Sequence, residues 1–416
     1  MQKNIEIMAP AGSFESLRAA IDAGANSVYF GIEQLNMRSR SANNFTTKDL
    51  KEIVKICKNH KVKTYLALNT VMYDHDMALM QKICDTAKAA NISAVILSDI
   101  AALNYARKIG LEVHMSTQAN ITNIEAVKFY AQYADVIVLA RELTLKQINE
   151  ITNQIKEQNI KGPSGNPIQI EIFVHGALCV AISGKCYMSI ATYNSSANRG
   201  ACLQNCRRSY KLIDEETGDE LRVENKYIMS PKDLCTIGFI DKILDAGVSV
   251  LKIEGRGRSP DYVFKVVKAY KEAVESHLNN TYTKEKIKNW TKELETVFNR
   301  GFWHGGYYLG KQLGEWSGVY GSKATKEKTF VGVASNYYPK AKVAQFELEA
   351  GEISIGDEIL ITGPTTGAYF TTASKLDKEG KIKKATKKTT ITIPVDKKIR
   401  KNDKLFVIKD IKNNAK

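Results

Sequence analysis

The stretch Ile168–Tyr210 reads IQIEIFVHGALCVAISGKCYMSIATYNSSANRGACLQNCRRSY. It opens as a near-continuous apolar strand, Ile168–Val174, and breaks at His175-Gly176 into a segment holding four of the seven cysteines. Strands of that apolar kind, buried on both faces, belong to parallel sheets covered by helices.

Seven further runs have the same character: Ile5–Met8, Ser27–Phe30, Val62–Leu68, Ala94–Leu97, Glu112–Met115, Asp135–Leu139 and Ser249–Ile253. Helical stretches separate them, among them Phe14–Ala23, Thr47–His60, Met77–Ala90, Ile100–Ile109, Ile124–Tyr133 and Thr144–Gln154. Eight strands within roughly 270 residues predict an α/β fold, a closed (β/α)8 TIM-like barrel rather than an open doubly wound sheet. No G-x-G-x-x-G follows the first strand, so a dinucleotide-binding unit has no support. After strand seven the cysteine-rich segment, 171–235, displaces the regular helix and reads as an insertion over the barrel mouth.

The cysteines at 179, 186, 202 and 206 are spaced C-x6-C-x15-C-x3-C, with Lys185, Arg199, Arg207 and Arg208 close by. Structural zinc favours two short chelating pairs, and only Cys202 and Cys206 form one. Wide spacings suit a bulkier [4Fe–4S] core; zinc and metal-free thiols stay open as alternatives. The C-x3-C-x2-C pattern of radical S-adenosylmethionine enzymes is absent. No secretory signal is seen at the amino terminus, so a cytoplasmic, reducing setting with free or metal-bound thiols is expected. Cys57 and Cys84 read as small apolar residues in barrel helices. Cys235 is a candidate replacement for Cys206.

The 416 residues carry 44% apolar side chains and a formal net charge of +15. That length predicts a large domain plus a small one, and no apolar run reaches the ~18 residues that cross a bilayer. The positive balance favours an anionic partner such as RNA, or a merely basic surface.

In a barrel of this type the residues after each strand form the active-site face. That rule collects Pro10, Gly12, Gly31, Asn69, Ser98, Asp99, Ser116–Gln118, Arg141, Glu142, His175, Glu254 and Arg256. Glu254-Gly255-Arg256 is suited to an anion site, and His175 to a ligand-sphere or acid–base role. His114 lies within its strand and reads equally as a core residue. The aromatic string Val297–Gly310, VFNRGFWHGGYYLG, either stacks on RNA bases or seals the barrel. Beyond about Lys328 the alternation of apolar and polar residues between glycine turns predicts a small closed β-barrel. The resulting domains are 1–325 and 326–416. Seven lysines between Lys375 and Lys388 give the second a basic edge that could hold phosphates.

These residues carry a likeness. Glu171, Phe173 and His175–Cys179, then Ser183, Gly184 and Cys186, then Arg199, Gly200, Cys202, Cys206 and Arg207 resemble the signature of the peptidase U32 family. So do Ala9–Gly12, Ser116–Gln118, Ser230–Leu234 and Lys252–Arg256, and the tail resembles the β-barrel of its RNA-hydroxylating branch. The resemblance implies oxygen-independent hydroxylation with a [4Fe–4S] cluster on Cys179, Cys186, Cys202 and Cys206, which argues against recruiting Cys235. One branch hydroxylates uridine 34 of tRNA at C5, with prephenate as implied oxygen donor. Others act on a cytidine of ribosomal RNA or on ubiquinone precursors. Length, β-domain and charge favour the tRNA branch. A dicarboxylate co-substrate would need Arg256, Arg141 and Gln118 as binding residues, with Glu254 and His175 as acid–base candidates. An electron-transfer or accessory protein is a further expected partner. The alternatives are the ribosomal RNA reaction, the collagenase-like peptidase of the family's name, and an RNA-binding protein with a structural metal.

Overall fold

The apolar runs fold as strands wherever both of their faces can be covered. A computed structural model describes residues 5–40, 44–221, 226–311, 315–377 and 380–411. Residues 41–43 of the Asn36–Asn44 loop, 222–225 of the cysteine insertion and Lys378 of the basic edge lie outside the described residues.

Seven parallel strands come first: β1 (Glu6–Pro10), β2 (Ser27–Gly31), β3 (Lys63–Leu68), β4 (Ala94–Leu97), β5 (Val113–Met115), β6 (Val136–Val138) and β7 (Gln169–Gly176). A two-stranded hairpin, β8 (Leu212–Ile213) and β9 (Glu220–Leu221), and then β10 (Asp233–Cys235) precede β11 (Val250–Ile253). Strand β11 closes the barrel, pairing with β1 at Glu6↔Val250 and with β7 at Val250↔Glu171. The eight parallel strands of the sequence reading are therefore present, as β1–β7 and β11. Two additions lie beyond them: β10 runs antiparallel to the end of β7, and β12 (Phe302–His304) pairs parallel to β10. The helices start where short polar side chains cap them. Ser13 accepts from the Ser16 amide, Asp99 from Ala101 and Asn123 from Ala126, satisfying donors the first turn leaves open.

Between sheet and helices lies one large apolar core. Inside the barrel the apolar cluster is small: Met8, Tyr29, Tyr65, Ala94, Ile96, Val136 and Val250. Buried charge occupies much of the rest. Lys252 Nζ donates to Glu171 Oε1 at 2.6 Å, and Tyr65 Oη donates to Glu6 Oε1 at 2.7 Å. The His114 ring packs 4.4 Å from Tyr65 and lies 3.7 Å from Glu171 and 3.6 Å from Glu112. Burial opposes a proton on His114, but the two carboxylates outweigh it and raise its pKa.

The aromatic string packs inward. Trp303 and Tyr308 are buried, and the Tyr308 hydroxyl donates to the Phe173 carbonyl at 2.7 Å, so these rings seal the barrel.

From Lys326 the chain is antiparallel β. An eight-stranded sheet and a two-stranded one share a core that includes Phe346, Ile359, Ile391 and Val407. Its edge strands, Gly367–Thr372 and Lys381–Ile382, are not paired with each other among the described residues, so the ladder is less closed than the sequence predicts. This sheet docks on the barrel through Leu360 and Ala368 against Ala19. Gly367 makes the approach possible. Its φ is +70°, and a Cβ there would stand 2.9 Å from the Ala19 amide nitrogen.

Gly367→Ala is expected to lower stability by about 1–3 kcal/mol, read from the urea midpoint, because neither backbone can retreat from the contact. Glu171→Ala is expected to cost about 3–5 kcal/mol in the same measurement, since it strands Lys252 in the interior.

Candidate active site

Parallel strands leave their carboxyl ends on one face of a barrel. The cysteine segment covers that face, and a cavity of about 270 Å³ lies between the two. Seven cationic side chains line it, Arg38, Arg141, Arg207, Lys252, Arg256, Arg258 and Arg300, against one carboxylate, Glu254. All four cysteines of the ligand-like set line it too, as does Gln118. Such a wall suits an anion.

Individual contacts show what is fixed and what is available. Glu254 Oε1 accepts from Arg38 Nη2 at 3.0 Å, across 216 residues of sequence. Burial works against the charge of Glu254, but Arg38, Arg258 and Arg141 outweigh it and hold the carboxyl below its usual range. It is therefore ionised at neutral pH. Arg256 is buried and donates from Nη1 to Asn36 Oδ1 at 2.9 Å. Burial brings its pKa down to about 10, which leaves it charged. Arg141 lies 4.0 Å over the Phe173 ring and donates to the Ala177 carbonyl at 3.1 Å. Its Nε, like Gln118 Oε1, is buried with no hydrogen-bond partner in the protein. Two orphaned polar atoms on one anion-friendly wall are what a bound polar molecule would satisfy. Gly184 brings the cysteine segment against this point: at φ +70° it passes so near that a Cβ would meet Gln118 Oε1 at 2.3 Å.

The four thiols are free, Cys179 exposed and the other three half-buried. Among the described residues no three His, Cys, Asp or Glu side chains close on a site for a single ion. Four cysteines on one cavity wall are donors of the kind that both zinc and iron–sulfur clusters use. Burial pushes the Cys206 thiol up to about 11 and that of Cys186 upward, so both keep their protons at neutral pH. Arg207 holds the segment's two ends together. It donates to Ser230 Oγ at 3.0 Å and to the carbonyls of Leu178 and Pro231. Of the four cations near the cysteines in sequence, only Arg207 lines the cavity. Arg199 pairs with Asp76, and Arg208 with the Tyr193 hydroxyl.

His175 is placed elsewhere, and its expected position at the mouth is corrected. It lies within β7, and its ring is enclosed by Tyr262, Tyr270 and Phe302, with centroids 6.0, 5.5 and 5.5 Å away. Its Nδ1 is 3.3 Å from the Tyr270 hydroxyl, and burial drives its pKa to about 3, so the ring is neutral. Cys235 is also buried in the core, its thiol pushed up to about 12, away from the cavity wall. Asp99 serves as a helix cap and accepts from the Met72 amide at 3.0 Å.

Sequence reasoning did not single out Arg38 or Arg258, and it met Lys252 and Arg300 only as members of a signature and of the aromatic string. Arg38 sits in a loop far from the other site residues in sequence. Lys252 did leave a signal: it is a lone charge in the apolar run VSVLKI, as Glu171 is in IQIEIFV.

The model of peptidase family U32 matches residues 12–318. A Porphyromonas gingivalis protein named collagenase is 58% identical over 404 residues, 97% of this chain and 97% of its own length. The tRNA hydroxylation protein P1 of Bacillus subtilis is 31% identical over 373 residues, 87% of this chain and 84% of its own length. The 23S rRNA 5-hydroxycytidine C2501 synthase of Escherichia coli is 34% identical over 273 residues, 65% of this chain and 39% of its own length. With the family's model spanning the barrel after β1, the cysteine segment and every charged residue of the cavity wall, the chain belongs to peptidase family U32.

Proposed function

We propose that this protein is a tRNA-modifying enzyme that hydroxylates uridine 34 at C5 without molecular oxygen, with prephenate as oxygen donor. The observation that carries the reading is a single cavity walled by four cysteines and by seven cations to one carboxylate. Hydroxylating an unactivated pyrimidine carbon is an oxidation, which amino-acid side chains do not perform. Cys179, Cys186, Cys202 and Cys206 would hold a [4Fe–4S] cluster. Such a cluster supplies one-electron chemistry when bound.

The chain's own residues bind and orient. Arg256 and Arg141 offer fixed guanidinium forks to the carboxylates of the dicarboxylate, and Gln118 Oε1 accepts from its hydroxyl. Glu254, ionised and held by Arg38 on the cavity wall, would receive the proton that leaves C5. An unpaired anticodon base needs only modest unstacking to enter the cavity. The cytoplasm is the expected setting, where thiols stay reduced. Two relatives named for tRNA and rRNA hydroxylation support an RNA substrate. The name collagenase on a close relative invites a hydrolytic reading, but no histidine lines the cavity to pair with Ser116 or a cysteine. An RNA binder with a structural metal would leave the orphaned Arg141 Nε and Gln118 Oε1 without a purpose.

The direct assay is mass spectrometry of nucleosides from tRNA and ribosomal RNA incubated anaerobically with the protein and prephenate. 5-Hydroxyuridine in tRNA is the expected product; 5-hydroxycytidine in ribosomal RNA would move the substrate, and release of collagen peptides would overturn the reading. Arg256→Ala is expected to raise the KM for prephenate about tenfold or more, as loss of a charge-assisted contact of roughly 1.5–3 kcal/mol implies. His175→Phe should leave turnover intact. It should also flatten the pH dependence of stability between 6.5 and about 3, where the unfolded chain takes up a proton that the folded ring refuses and stability falls with pH. Urea midpoints across that range read the effect.

A further inference from the structure

The outer edge of the cavity is unusually apolar for so charged a chain. Tyr187 is 75% exposed, Tyr193 52% and Tyr73 51%. Tyr187 stands between Cys186 and Met188, both of which line the cavity, and Tyr193 ends the short helix Met188–Tyr193. Tyr73 is held to the same edge from the barrel side. Arg199 lies 4.2 Å over its ring and donates to the Val71 carbonyl at 3.0 Å, and the Val71 amide donates to the carbonyl of Asn198, a cavity residue. Arg208 lies 5.0 Å from the centre of the Tyr193 ring and also binds its hydroxyl.

Exposed aromatic rings beside guanidinium groups are costly to leave in water and have flat faces to offer. The cysteine segment carries charge of one sign: residues 177–211 contain five cations, Lys185, Arg199, Arg207, Arg208 and Lys211, and no carboxylate. From the loop of Tyr73 come Asp74, exposed, and Asp76, already paired with Arg199. Planar π-faces, arginine planes and positive charge together match the chemistry of unpaired nucleotides, whose bases stack and whose phosphates seek cations.

We propose that Tyr73, Tyr187 and Tyr193, with Arg199 and Arg208, form a stacking platform for the unpaired nucleobases of single-stranded RNA on either side of the one that enters the cavity. The inference rests on the RNA-modifying reading above and adds where and how the RNA is held. The tyrosines take bases by stacking, Arg199 braces the Tyr73 ring, and Arg208 takes a phosphate between the bases. Paired RNA, whose bases are already stacked, gains nothing from the rings and is bound by charge alone.

The test uses the full-length protein, fluorescence anisotropy, a labelled hairpin RNA with an unpaired loop and a fully paired RNA of the same length. The double substitution Tyr187→Ala with Tyr193→Ala is expected to weaken hairpin binding about tenfold or more, since each stacked base is worth about 1–3 kcal/mol. Duplex binding should stay unchanged, and Tyr187→Phe with Tyr193→Phe should restore hairpin affinity because the ring is kept. Both tyrosines are exposed, so an unchanged melting temperature verifies that the variant is folded. Unchanged hairpin affinity in the alanine variant would overturn the platform, as would an equal loss for hairpin and duplex. So would loss of turnover only when a protein electron donor is added, which would assign the rim to that partner. These outcomes leave the hydroxylase reading standing if the unaltered protein still modifies RNA; failure of the unaltered protein to bind either RNA would remove both.

Discussion

Closure of the barrel by β11 against β7 brings Lys252 and Glu171 together in its interior, 2.6 Å apart and almost wholly buried. An ion pair removed from water is held by geometry more than by net gain, because desolvation offsets much of its attraction. Its consequence is positional. Burial lowers the pKa of Lys252, but the pairing with Glu171 opposes that loss and keeps a cation at the floor of the cavity. The next inward-facing residue along β11, Glu254, is met by Arg38 from a loop after β2. Two acids on neighbouring strands thus anchor the polar floor, and the arginines above them are left facing the cavity.

That surplus explains why the cysteine segment and the barrel mouth belong to one site. Four thiols above and guanidinium groups below give a wall able to balance several negative charges at once. Arg207 links the segment's start at Leu178 to its end at Ser230 and Pro231, so the thiols are carried by a closed loop rather than a dangling one. The C-terminal sheet docks on the helix after β1 through Gly367, and no residue of that sheet lines the cavity.

The barrel was legible because eight apolar runs alternating with helices in roughly 270 residues fit a closed parallel sheet, and the strand-end rule found Gln118, Arg141, Glu254 and Arg256 on the cavity wall. The same rule misplaced His175. Strand β7 continues to Gly176, and the aromatic rings of the helix Pro260–Leu278 and of β12 close over the imidazole, a long-range packing fact that no local pattern carries. Arg38 was invisible for the same reason. Lys252, Glu171, His114 and Glu6 were visible as single charges inside apolar strands, a signal that says interior charge but not which charges meet. Proximity in sequence also misled for Arg199 and Arg208, which lie near the cysteines yet pair with Asp76 and Tyr193 at the rim. The four cysteines that the sequence groups in one window all line the cavity.

The measurement that bears most directly on this account is iron and acid-labile sulfide analysis, with a visible spectrum, of protein purified without oxygen, compared with the Cys202→Ala variant. Four irons and four sulfides per chain, lost in the variant while the fold persists by circular dichroism, is the result expected of cysteines that share one cavity as a cluster site. A single zinc with no sulfide would contradict it, and with it the redox chemistry assigned to the cavity.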